Sequence, residues 1–127
     1  LLKKSLGGFM LLSEITRIVE GKALWNFDDK DCDVCGATDM LSELLAVGRD
    51  GMLLISGMAT SQLIKTADIV GVGGILIVRG KNIPEEMIEL AKKYDIPLIS
   101  TKLVMFTACG RLFCSGLSDI NGTRFGY

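Results

Sequence analysis

The chain has 127 residues, 49% of them hydrophobic and only 6% aromatic, with a formal net charge of −1. That is the size of one ordinary domain with an aliphatic core, and too short for two. A balanced charge with no block of one sign argues against nucleic acid and anionic membrane as partners. No apolar run approaches the roughly 20 residues of a membrane span.

At the start, Lys3 and Lys4 are followed by neither the long apolar stretch nor the cleavage site of a signal peptide. Met10 ahead of Leu11-Leu12-Ser13 fits a natural initiator, which would make residues 1–9 a leader or cloning remnant. Leu11, Leu12, Ile15, Ile18 and Val19 recur at helical spacing, with Gly21 as the stop. Lys22 to Asn26 and Asp33 to Ala37 read as short strands joined by a turn at Asp28 to Asp31. Thr38 or Asp39 then caps a helix carrying Met40, Leu41, Leu44, Leu45 and Val47, broken by Gly48 to Gly51.

From there strands and helices alternate. Met52 to Ser56, Gly74 to Val78 and Ile96 to Ser100 are apolar strands. Between them Thr60 or Ser61 opens a helix through Leu63, Ile64, Ala67 and Val70, and Pro84 starts one with Met87, Ile88, Leu90 and Ala91. Leu103 to Cys114 reads as the last helix. Strands separated by helix-length segments require right-handed parallel crossovers. The expected architecture is a three-layer α/β sandwich, a mainly parallel sheet flanked by helices, over residues 10–117. Residues 118–127 are expected to be a polar tail that frays.

The run Gly71-Val72-Gly73-Gly74 follows a helix and enters a strand. A dinucleotide fingerprint has the opposite order, so the run reads as a helix C-cap and tight turn. Ligands of parallel sheets bind at the carboxyl ends of strands. Those ends carry Ser56 and Gly57 with Thr60, then Arg79 and Gly80 beside Lys81, then Ser100 and Thr101. Hydroxyls, close-approach glycines and fixed cations suit a phosphate or carboxylate. The competing reading is that the hydroxyls only cap helices and the cations are solvated, which leaves the pairing of Arg79 with Lys81 unexplained.

With no signal-peptide pattern in the residues at hand, Cys32, Cys35, Cys109 and Cys114 are not expected to form a disulfide framework. They could supply four thiolates to zinc or an iron–sulfur cluster, although buried inert cysteines are commoner. There is no histidine, so Ser–His and Cys–His activation are excluded. Glu85, Glu86 and Glu89 lie together as the solvated first turns of a helix. No catalytic constellation is expected, and no enzyme.

The stretch from about Leu11 to Leu117 resembles the DRTGG domain. The resemblance is carried by Leu12-Ser13-Glu14-Ile15, Asp39 to Leu45, Ile83 to Ala91, Asp95 to Thr101 and Cys109 to Phe113. It lies in overall pattern more than in any single motif. If Asp31 is the aspartate of the name motif, Cys32 stands for its arginine, Cys35 for its threonine and Gly36-Ala37 for its two glycines. The resemblance implies a fold similar to the N-terminal domain of HPr kinase/phosphorylase. It also implies a regulatory, non-catalytic role, since such domains accompany nucleotide-binding CBS modules in some pyrophosphatases and help form dimers.

The leading expectation is therefore a cytoplasmic regulatory domain that forms a homodimer. It senses a small anion, with an adenine nucleotide as the candidate ligand and no other cofactor. The alternative is a metal- or redox-linked accessory protein of anaerobic electron transfer, using the four cysteines.

Overall fold

The computed structural model describes residues 9–126, so the leader expected over residues 1–9 falls almost wholly outside them. The first half of the chain runs β1 (Met10–Leu11), α1 (Leu12–Ile18), β2 (Lys22–Ala23), β3 (Asp31–Cys32), β4 (Val34–Ala37) and α2 (Leu41–Val47). The second half runs β5 (Leu53–Ser56), α3 (Ser61–Val70), β6 (Gly74–Ile77), α4 (Glu85–Lys93), β7 (Leu98–Ser100), α5 (Met105–Cys114) and β8 (Ser118–Asp119). Six strands form one sheet in the order β2-β7-β6-β5-β4-β8. All neighbours pair in parallel except β2 with β7, which are antiparallel. A separate antiparallel pair joins β1 to β3.

The layers follow from the period of two along each strand. Leu54, Ile75, Ile77 and Leu98 face one core, packed with Leu44, Leu63, Ile64, Ala67, Met87 and Ala91 from α2, α3 and α4. Leu53, Ile55, Leu76 and Ile99 face the other, packed with Leu12, Ile15, Ala108 and Leu112 from α1 and α5. Strands covered on both faces carry continuous apolar runs rather than alternating ones. The expected three-layer sandwich, with β5, β6 and β7 as adjacent central strands, is the fold observed.

Element ends follow local chemistry. The Thr60 hydroxyl accepts the Leu63 N–H at 3.4 Å and starts α3. Gly71 ends that helix in the left-handed region with φ of 84°. The Gly71 to Gly74 run is thus a helix stop leading into a strand, as its position in the sequence implies.

Two expectations are corrected. Met40, not Thr38 or Asp39, is the N-cap of α2, and no side chain caps it there. Thr38 instead accepts the Met40 N–H at 3.0 Å in a turn ahead of the helix, while Asp39 is engaged elsewhere. The segment after Leu117 does not simply fray. Val34 and Cys35 of β4 pair with Ser118 and Asp119, because β4 would otherwise leave its outer edge unpaired. Asp119 then folds the following turn by accepting the N–H groups of Asn121 and Thr123, each at 2.9 Å.

Candidate functional site at the carboxyl edge of the sheet

The carboxyl ends of β4, β5, β6 and β7 open on one edge, and Asp39 organises the polar groups there. It follows β4, which lies beside β5, so its carboxylate reaches the turn after β5. One oxygen, Oδ1, accepts the Gly57 N–H at 2.7 Å and the Ser56 hydroxyl at 3.1 Å. The other, Oδ2, faces the Arg79 guanidinium at 3.9 Å, a charge contact beyond hydrogen-bond length. The Gly57 bond, with the Ser56 hydroxyl and the charges of Arg79 and Lys81, holds the Asp39 carboxyl below its ordinary 3.8 against the opposing effect of partial burial.

Arg79 is placed by its backbone. It has φ of 70°, a left-handed conformation rare outside glycine. Its N–H donates to Leu103 at 2.7 Å, and the next N–H, of Gly80, donates to Thr101 at 2.9 Å. The loop after β6 is thereby clamped to the segment after β7. The guanidinium lies against Gly57, where an added Cβ would sit 2.8 Å from Arg79 Cζ and closer still to Nη2. A side chain at Gly57 would displace the end of this arginine.

The seven residues singled out from sequence separate into groups. Ser56, Gly57 and Arg79 meet around Asp39. Gly80 and Thr101 are joined through the backbone. The Thr101 side chain is buried and donates to the Val19 carbonyl at 2.6 Å, while accepting the Leu103 N–H at 3.1 Å. Ser100 ends β7 between Ile77 and Lys22, and Thr60 is a helix cap. From sequence, Asp39 is only a candidate helix cap. The signal that could have found it is topological: strands consecutive in sequence are commonly neighbours in the sheet, which sets Asp39 beside Ser56 and Gly57.

The cysteines lie elsewhere. Cys35 and Cys109 line an apolar cavity of about 510 Å³ between β4, β8 and α5, walled by Phe106, Phe113, Leu117 and Ile120. Cys32 is buried and Cys114 exposed, and all four are unpaired thiols. Burial pushes the Cys32 thiol from 9.0 up to about 12, with Asp33 and Asp31 adding to the rise. Burial likewise raises Cys35 and Cys109. Cys109 and Cys114 are five residues apart on a helix of about 3.6 residues per turn, so they point to different faces. Among the described residues no three metal-ligating side chains come together, and no helix is long and apolar enough to cross a membrane.

The fold defines the class: an open, mainly parallel α/β domain, in which ligands collect at the carboxyl edge. No protein-family model and no curated protein matches the sequence. Among solved structures, the chain is similar to the CBS and DRTGG domains of the regulatory region of Clostridium perfringens pyrophosphatase, complexed with its activator diadenosine tetraphosphate. The TM-score is 0.67 at 23% identity, covering 91% of this chain and 51% of that one. The chain thus spans about half the length of its neighbour, and the likeness shows a related fold.

Proposed function

We propose that this chain is a non-catalytic regulatory module that senses a small anionic ligand, an adenine nucleotide first among the candidates. The ligand would lie at the carboxyl edge, on Arg79. The observation that carries the reading is the placement of Arg79: a left-handed residue, clamped through its N–H, whose guanidinium rests on a glycine. Backbone strain of this kind costs on the order of 1–3 kcal/mol and concentrates at ligand sites. A regulatory region of related fold that is complexed with a dinucleotide activator supports the same direction.

The module is further proposed to form a homodimer in a reducing compartment such as the cytoplasm. Phe106 is 88% exposed on α5, with Val104 and Phe125 also exposed. Apolar surface beside an apolar cavity is what a protein interface covers. Four unpaired thiols fit the compartment.

Calorimetry with AMP, ADP, ATP and diadenosine tetraphosphate tests the ligand reading. Arg79→Ala should weaken nucleotide binding by about 1.5–3 kcal/mol, the scale of a hydrogen bond to a charged group. Its stability should barely move, since an exposed cation contributes little to folding. Binding should also weaken with salt. No heat with any of the four nucleotides would overturn the reading.

A further inference from the structure

Asp39 takes two of the donors at the carboxyl edge of the sheet. Its Oδ1 already takes the Gly57 N–H and the Ser56 hydroxyl, two donors that a bare phosphate would need. Its Oδ2 accepts no hydrogen bond from Arg79 at 3.9 Å, and the side chains of both residues are more than two-fifths exposed. The edge therefore presents two fixed poles side by side, a carboxylate oxygen with free acceptor capacity and a guanidinium with free donors. A free phosphate meets the guanidinium but is repelled by the carboxylate. A ligand that carries hydroxyls near its phosphate satisfies both.

Resting on the ligand-binding reading above, we propose that Asp39 is a specificity-determining residue. Its Oδ2 accepts a sugar hydroxyl of a ligand whose phosphate lies on Arg79, so that the site selects phosphorylated sugars over inorganic phosphate. The shared chemistry is a sugar phosphate, whether free or within a nucleotide. A carboxylate at a strand end taking ribose hydroxyls is an arrangement that parallel α/β sheets support.

The test is calorimetry on the full chain with inorganic phosphate, ribose 5-phosphate, AMP and 2′,3′-dideoxy-AMP. The expected order places inorganic phosphate weakest, with dideoxy-AMP at least about tenfold weaker than AMP, the loss of one hydrogen bond to a charged group. Asp39→Asn keeps an amide oxygen for Gly57 and Ser56 but replaces Oδ2 by a donor. That variant should distinguish AMP from the dideoxy analogue less than wild type does, because a neutral amide bonds the hydroxyl more weakly than a carboxylate. Ribose 5-phosphate binding as well as AMP would support the proposal with a free sugar phosphate as ligand, and weaker binding would support it with a nucleotide. Equal binding of AMP and dideoxy-AMP to the wild type would overturn it, as would undiminished discrimination between them by Asp39→Asn. Should that variant fail to fold, the comparison on the wild type decides alone. AMP binding that is weakened in Arg79→Ala but indifferent to the hydroxyls defeats this inference and spares the ligand site. No binding by any of these compounds defeats both.

Discussion

Arg79 and Gly57 are fitted to each other, one supplying a guanidinium and the other the space for it. Gly57→Ala should therefore displace the guanidinium and weaken anion binding by no more than Arg79→Ala does, while leaving the sheet intact, because the colliding group is the end of a flexible side chain. Arg79→Gly makes the complementary point. A left-handed residue with a side chain costs roughly 1–2 kcal/mol, and glycine gives back about 0.4–1 kcal/mol through the unfolded chain. The variant should be as stable as wild type, or more so by up to about 1.6 kcal/mol, and bind a nucleotide as weakly as Arg79→Ala. Denaturant unfolding beside calorimetry checks both substitutions; a clearly destabilised Arg79→Gly would show that its conformation is not strained.

Cys32 makes a prediction in pH. Its thiol is raised from 9.0 to about 12 in the folded chain, so above pH 9.0 the unfolded state loses the proton while the folded state keeps it. Stability is whole below that point and falls as pH rises through the window, by about 1.4 kcal/mol for each unit from this group. Cys32→Ala should lose some packing at neutral pH. Its deficit against wild type should shrink from pH 9 towards pH 10.5, as measured by urea unfolding. A deficit independent of pH would refute the assignment.

Among the elements, α3 and the loop after β7 show what individual hydroxyls contribute. Thr60→Ala removes the cap of α3 and should cost about 1 kcal/mol without touching ligand binding. Thr101→Val should cost more, about 1–3 kcal/mol, because the Val19 carbonyl and the Leu103 N–H both lose their bonds to its buried hydroxyl. Thermal unfolding of the two variants separates them. Equal losses would mean that the contact tying the end of α1 to this loop carries no more than a cap.

The three central strands and their helices were legible because unbroken aliphatic runs, turn glycines and Pro84 all point to the same elements. The cap of α3 was legible because Thr60 acts on its own neighbours. Asp39, Thr101 and β8 were not, and for one reason. Asp39 bonds across to the turn after β5, Thr101 to Val19, and Ser118 to the carbonyl of Asp33 at 3.1 Å. Polar side chains whose partners are distant in sequence look, locally, like caps, tails or, for Thr101, an open strand-end hydroxyl. The site was half visible for the same cause: its cation lies in a recognisable strand-end loop, while its carboxylate resembles any helix-start aspartate.

For the molecule as a whole, the proposed homodimer predicts a mass twice the 13.7 kDa of the chain by light scattering at micromolar concentration. Phe106→Asp should return it to the monomer, since a charge in the centre of an apolar interface is left unpaired. A monomeric wild type would remove dimerisation from the reading while leaving the carboxyl-edge site as it stands.

The order of the sheet also bears on how the chain can be made. Its two outer strands come from opposite ends of the sequence: β2 aligns Lys22 with Ser100, and β8 aligns Ser118 with Val34. A nascent chain leaving the ribosome therefore holds β2 without a partner until β7 has been synthesised. It holds the outer edge of β4 open until Ser118 and Asp119 emerge. Pairings this distant in sequence slow folding, and open edges invite other chains to pair with them. A chain ending at Leu117 should accordingly refold with lower yield and aggregate more than the full chain, although every residue of the central strands is present in it.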